Sequence, residues 1–132
     1  MRITVDTNIL IRAVMRDDRK QGAAAARLLK DAEIIAVPSP CLCEFVWVLR
    51  RVYNLGQNDI RAALRALLNT GNVSVNRPAV DAGLAVLDAG GDFADGIIAF
   101  EGRFLGGDTF VSFDKKAVTL VEKQGLAARV PV

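Results

Sequence analysis

A chain of 132 residues has room for one domain with a real core and not for two. Its 52% hydrophobic and 24% charged residues exclude a disordered chain. Seventeen basic and fifteen acidic residues nearly balance, and histidine is absent, which excludes Ser-His-Asp and Cys-His catalysis and any histidine metal site.

RITV, short and β-branched, predicts a strand; DTN is a turn-and-cap cluster, and ILIRAVM begins a helical pattern. No apolar run approaches the roughly 20 residues of a membrane helix, and MRITVDTN lacks the apolar stretch of a signal peptide, so a cytoplasmic protein without membrane contact is expected. RKQGAAAARLLK is alanine-rich and predicts a helix, and EIIAVP predicts a second buried strand stopped by Pro38. Ser39 and Pro40 read as N-cap and first helical residue of the next helix, which Gly56 is expected to end. QNDIRAALRALLN sets Ile60, Leu64, Leu67 and Leu68 on one helical face and Arg61 and Arg65 on the other. VSV is a brief strand, Pro78 starts a helix through AVDAGLAVLDA, and Gly90-Gly91 separates it from DFADGIIAFEGRF. FVSF predicts a strand, DKKAVTLVEKQG a helix closed by Gly125, and ARVPV a last strand. There is no internal repeat, low-complexity tract or linker. Apolar strands alternating with helices predict a single α/β domain over 1–132, a three-layer α/β/α sandwich with a mostly parallel central sheet.

In open parallel sheets the working site lies outside the carboxyl ends of the strands. Asp6 directly follows RITV and Asp114 directly follows FVSF, at that rim, although each is also a good helix N-cap. Asp92 and Asp95 lie at the start of DFADGIIAF, where the helix dipole favours carboxylates; Asp92 reads as the cap and Asp95 lies one turn inside. Glu44 stands alone in CLCEFVWVL, beyond reach of a capping box with Ser39. Its helical neighbours Pro40, Cys41, Trp47 and Val48 offer no ion pair. On a helix apolar all round, such a carboxylate would cost several kcal/mol unless paired, protonated or metal-bound, and pairing with Arg12 or Arg50 is the competing explanation. Cys41 and Cys43 point about 200° apart on a helix, cannot bridge, and read as core residues. Converging carboxylates repel one another. A hard cation removes that penalty, and with no imidazole available Mg²⁺ or Mn²⁺ is favoured over zinc.

In order and spacing, VDTNIL, the lone Glu44 after the second strand, DFADGIIA and VSFDKKA resemble the PIN domains, and within them the VapC-type toxins of toxin–antitoxin pairs. The resemblance spans essentially the whole chain. It implies an Mg²⁺- or Mn²⁺-dependent endoribonuclease in which Asp6, Glu44, Asp95 and Asp114 are the metal-binding catalytic acids. Asp92 matches an auxiliary acidic position, and Thr7, Asn8 and Ser112 match residues that orient ligands or phosphate. Gly96 departs from the pattern, which usually has alanine there. The family also implies a homodimer and a cognate VapB-like antitoxin whose tail lies in a groove near the site. Leu42, Phe45, Val46 and Leu49 form one stripe while Trp47 points elsewhere, so the helices at Ser39–Arg51 and 58–68 are expected to form that groove.

Setting the four acids aside leaves 17 basic against 11 acidic residues, a surplus that suits RNA. Arg12, Arg16, Arg50, Arg51, Arg61, Arg65, Lys115 and Lys116 are candidate contacts, and solvated helix faces account for them equally well. A haloacid-dehalogenase-type phosphatase would want a second aspartate where Asn8 stands, and a receiver domain would want paired acids near the first strand. The alternative that keeps the same fold is a non-catalytic PIN-like module that binds RNA or protein.

Overall fold

The computed structural model describes all 132 residues, which fall into two compact units, Met1–Val75 and Asn76–Val132. In the first, β1 (Arg2–Thr4) leads into α1 (Thr7–Met15) and α2 (Arg19–Asp31), then β2 (Ile34–Ala36), α3 (Ser39–Arg51), α4 (Gln57–Leu68) and β3 (Val73–Ser74). Strands joined through helices can pair in parallel, and they do so in the order β1-β2-β3, with Ile3 opposite Ile35 and Ile35 opposite Val73. In the central strand Ile35 has no exposed surface, while Ile34 and Ala36 are half-buried. Leu10 and Ile11 of α1, Leu42, Phe45 and Leu49 of α3, and Ile60 and Leu64 of α4 are buried as well. Asn72, just before β3, donates from Nδ2 to the carbonyls of Leu29 and Ala32 at 2.8 and 2.9 Å. Those oxygens at the end of α2 have no partner within the helix, so one side chain 40 residues away closes it.

In the second unit, α5 (Arg77–Asp88), α6 (Phe93–Phe104), β4 (Thr109–Val111), α7 (Lys115–Lys123) and β5 (Ala127–Arg129) follow one another, with β4 and β5 paired in parallel across α7. Phe93 and Ile97 of α6 and Val80 and Leu87 of α5 are its largest fully buried side chains. The two helices approach through glycine: a Cβ at Gly96 would stand 2.4 Å from the Ala82 carbonyl oxygen and 2.7 Å from Gly83 Cα. Alanine, the residue expected at this position from the family pattern, therefore cannot be accommodated without moving backbone. Gly125, with φ of 86°, lies just past α7, as expected for a helix-closing glycine.

Two boundaries differ from expectation. Pro38, not Ser39, is the N-cap of α3 and makes no side-chain cap bond; Ser39 is already helical, with Pro40 in the first turn, where a missing N–H costs no helical bond. Gly56 does not end that helix. The chain turns instead at Asn54 in the left-handed region, φ 56°, with Leu55 N–H donating back to Leu49 O at 3.0 Å, and Gly56 becomes the N-cap of α4.

The expected all-round burial of α3 is also corrected. Cys41, Leu42, Phe45, Val46 and Leu49 form a buried stripe, but Glu44 is exposed, as are Pro40, Arg50 and Trp47, the last at 58%. Glu44 therefore bears no desolvation penalty that a partner must offset. No helix is long and apolar enough to cross a membrane.

Candidate functional site

The predicted acids divide between the two units: Asp6 and Glu44 in the first, Asp92, Asp95 and Asp114 in the second. Three of them are helix N-caps. Asp6 Oδ1 accepts from Ile9 N–H at 3.3 Å, Asp92 Oδ1 from Ala94 N–H at 3.0 Å, and Asp114 Oδ1 from the N–H groups of Lys116 and Ala117 at 3.0 and 3.1 Å. In each case the bonds run to Oδ1, so capping fixes the carboxylate at the end of a strand or loop while Oδ2 takes no part in it. Capping and ligand binding are thus compatible uses of the same side chain.

In the first unit Asp6 and Glu44 both act on one sulfur. The Cys41 thiol is pushed above its ordinary value by burial, and both carboxylates raise it further while a hydrogen bond from Thr7 lowers it. Thr7 is buried, and its hydroxyl donates to Cys41 Sγ at 3.8 Å, tying the start of α1 to the first turn of α3. Neither cysteine is in a disulfide. Asn8 is exposed one residue beyond Thr7.

Beside Asp6 runs an open groove of about 520 Å³ lined by Asn8, Ile9, Arg12, Gln21, Ala24 and Ala25. Arg12 is held from two sides, donating from Nε to Gln21 Oε1 at 2.8 Å and from Nη1 to Asp17 Oδ1 at 3.1 Å. Tyr53, just past the C-cap of α3, donates its hydroxyl to Asp17 Oδ2 at 2.6 Å. The Tyr53 hydroxyl, and then Arg12, hold the Asp17 carboxyl below its usual value; Asp17 in turn raises the Tyr53 phenol. Sequence reasoning missed this network because Tyr53 is 36 positions from Asp17 and no local spacing announces the contact. Arg12, named as a partner for Glu44, pairs with Asp17 instead.

In the second unit Asp95 is half-buried in the first turn of α6, not a full turn inside as the sequence spacing suggests. Its carboxyl is raised above the ordinary range, first by burial and then by the charges of Asp92 and Asp114. Asp92 and Asp114 are thus each close enough to act on Asp95. Ser112 Oγ accepts from Asp114 N–H at 3.0 Å and so shapes the turn that presents Asp114.

The donor chemistry fits a hard divalent cation: carboxylate oxygens with hydroxyl and amide neighbours, and no imidazole. Within neither unit, however, are three acidic or thiol side chains gathered into a group able to hold an ion.

Comparison with family models matches residues 3–122 to the model described as PIN domain. Comparison with curated proteins gave no match.

Proposed function

Since the chain belongs to the PIN domain family, whose members are α/β proteins and generally nucleases, we propose that it is a metal-dependent endoribonuclease that hydrolyses RNA phosphodiester bonds and acts as a VapC-type toxin. The observation that carries this reading is the half-buried Asp95 in the first turn of α6, within reach of the charges of Asp92 and Asp114, whose repulsion of it a cation would relieve. Asp6, Glu44, Asp95 and Asp114 would hold Mg²⁺ or Mn²⁺. The cation, when bound, would supply activation of water and neutralisation of charge on the phosphate.

The chain's own part is positional. Capping fixes Asp6 and Asp114, so little side-chain entropy is lost when their Oδ2 atoms are engaged. Ser112 orients the Asp114 turn, and Thr7 anchors the turn that carries Asp6 and Asn8. Asn8, exposed beside Asp6, would donate its amide to a phosphate oxygen. Asp92 would lend charge to the site while capping α6.

The test is RNA cleavage with Mg²⁺ or Mn²⁺, with and without EDTA, for the wild type and Asp95→Asn. Cleavage that requires the cation and falls by about 100-fold or more in the variant supports the reading, since even outer partners of metal ligands matter on the scale of 10–100-fold. Metal-independent cleavage unaffected by the substitution overturns it.

A second reading, a non-catalytic PIN-like module that grips RNA or protein, draws on the lack of a gathered three-acid group within either unit. RNA binding without cleavage under any cation would favour it. The toxin role further implies a homodimer, a VapB-like antitoxin and work in the cytoplasm on a single PIN-like domain of residues 1–132. The exposed Trp47 of α3 and Val52 at its C-cap support α3 as one wall of the antitoxin groove, with α4 proposed as the other. Unchanged amide exchange in these helices on antitoxin binding would count against that placement.

A further inference from the structure

We propose that the groove beside Asp6 seats the base of a nucleotide next to the scissile phosphodiester, and that Arg12 and Gln21 select guanine there; the assignment rests on the nuclease reading above. The groove holds about 520 Å³, within the range of roughly 300–1,000 Å³ typical of small-molecule sites. Ile9, Ala24 and Ala25 give it an apolar wall against which a planar base can lie, and Asp6 stands in its lining at the proposed catalytic end.

The polar lining is biased toward donors by the network around it. Gln21 Oε1 accepts from Arg12 Nε, so the Gln21 amide is turned with Nε2 as its donor end. Arg12 has no acceptor at all, and its bonds to Gln21 and Asp17 leave Nη2 unused. Because Asp17 compensates the guanidinium, Arg12 offers directional N–H groups more than bare charge, which suits a base edge better than a phosphate. Tyr53 and Asp17 fix that direction from behind. Two neighbouring donors match the guanine edge with its N7 and O6 acceptors; adenine places a donor where O6 stands and pyrimidines lack N7.

The closing experiment maps the 5′ ends of RNA fragments from a pool randomised around the cleavage site, with wild type and Gln21→Glu. The substitution keeps an acceptor for Arg12 Nε, so the network and fold survive, as a thermal melt checks, while the Nε2 donor becomes an acceptor. Wild type is expected to prefer guanine at one position flanking the cut. Gln21→Glu should lower that preference roughly tenfold or more, the scale of discrimination by a two-donor contact. Replacing that guanine with 7-deazaguanine should reduce wild-type cleavage similarly. Wild-type cleavage with no guanine preference, or a preference unchanged by Gln21→Glu, overturns the subsite and leaves the nuclease intact. No cleavage of any RNA with Mg²⁺ or Mn²⁺ removes both.

Discussion

Asp95 shows how a residue's surroundings can set its purpose. Half-buried and facing two like charges, it destabilises the metal-free protein while ionised. Asp95→Asn is therefore expected to raise the melting temperature in EDTA and to abolish the rise that Mg²⁺ or Mn²⁺ gives the wild type; differential scanning calorimetry of both proteins checks this. Tyr53 and Asp17 make a prediction about pH. The folded phenol titrates above its ordinary value of 10.0, so its contribution is complete below that pH and is lost as pH rises through the folded value. The folded carboxyl titrates below 3.8, so its contribution is complete above that pH and is lost as pH falls through the folded value. Tyr53→Phe should remove the alkaline loss and weaken the acid one in melting curves against pH. Both groups face solvent, so added salt should shrink both effects. At this scale the caps were legible: Asp6, Asp92 and Asp114 each follow a strand or turn and precede a helical pattern, and each caps. Glu44 was not, because a helical wheel identifies neighbours but not the width of the buried stripe, and the exposed strip along α3 includes Glu44 and Trp47.

At the scale of elements, the packing of α5 on α6 depends on two missing side chains. A Cβ at Gly83 would meet the Phe93 ring at 2.8 Å, and one at Gly96 would meet backbone. Gly96→Ala gains helix propensity of about 1 kcal/mol yet must push a carbonyl aside, and overpacking costs typically 1–3 kcal/mol and more where backbone moves. We expect net destabilisation, read as a lower urea midpoint, and a smaller effect at Gly83 if the Phe93 ring can turn. The order of strands and helices was legible because β-branched runs alternate with 3.6-residue periodicity and each is punctuated by Gly, Pro or Asp. The ends of α3 were not. Ser39-Pro40 satisfies the rules for N-cap and first residue as well as it does one position further in, and Gly56 competes with Asn54 for the left-handed turn. Similarly, nothing in the sequence near Asn72 announces that it closes α2.

For the whole molecule, charge makes the broadest prediction. Net charge is only +2, and cation binding to the proposed acids would unmask the basic surplus. RNA affinity of Asp95→Asn, which should bind without cutting, is expected to fall linearly on a log–log plot against salt concentration, with a slope that counts phosphate contacts. A flat dependence would leave the cationic side chains without a role in binding. The proposed homodimer predicts twice the 14.2 kDa chain mass by light scattering. The lack of histidine, a property of composition alone, removes imidazole both as a metal ligand and as a general base. The groove beside Asp6 has no such signature in the sequence, because it depends on where α2 lies against α1, and its Arg12 is held by Asp17, which Tyr53 beyond α3 bonds in turn.

No strand exceeds three residues, whereas five of the seven helices reach twelve or thirteen. Far-ultraviolet circular dichroism should consequently resemble that of an all-helical protein, and a spectroscopist lacking coordinates would miss both sheets. The ladders contribute so few interstrand amides that infrared absorption would also under-report them.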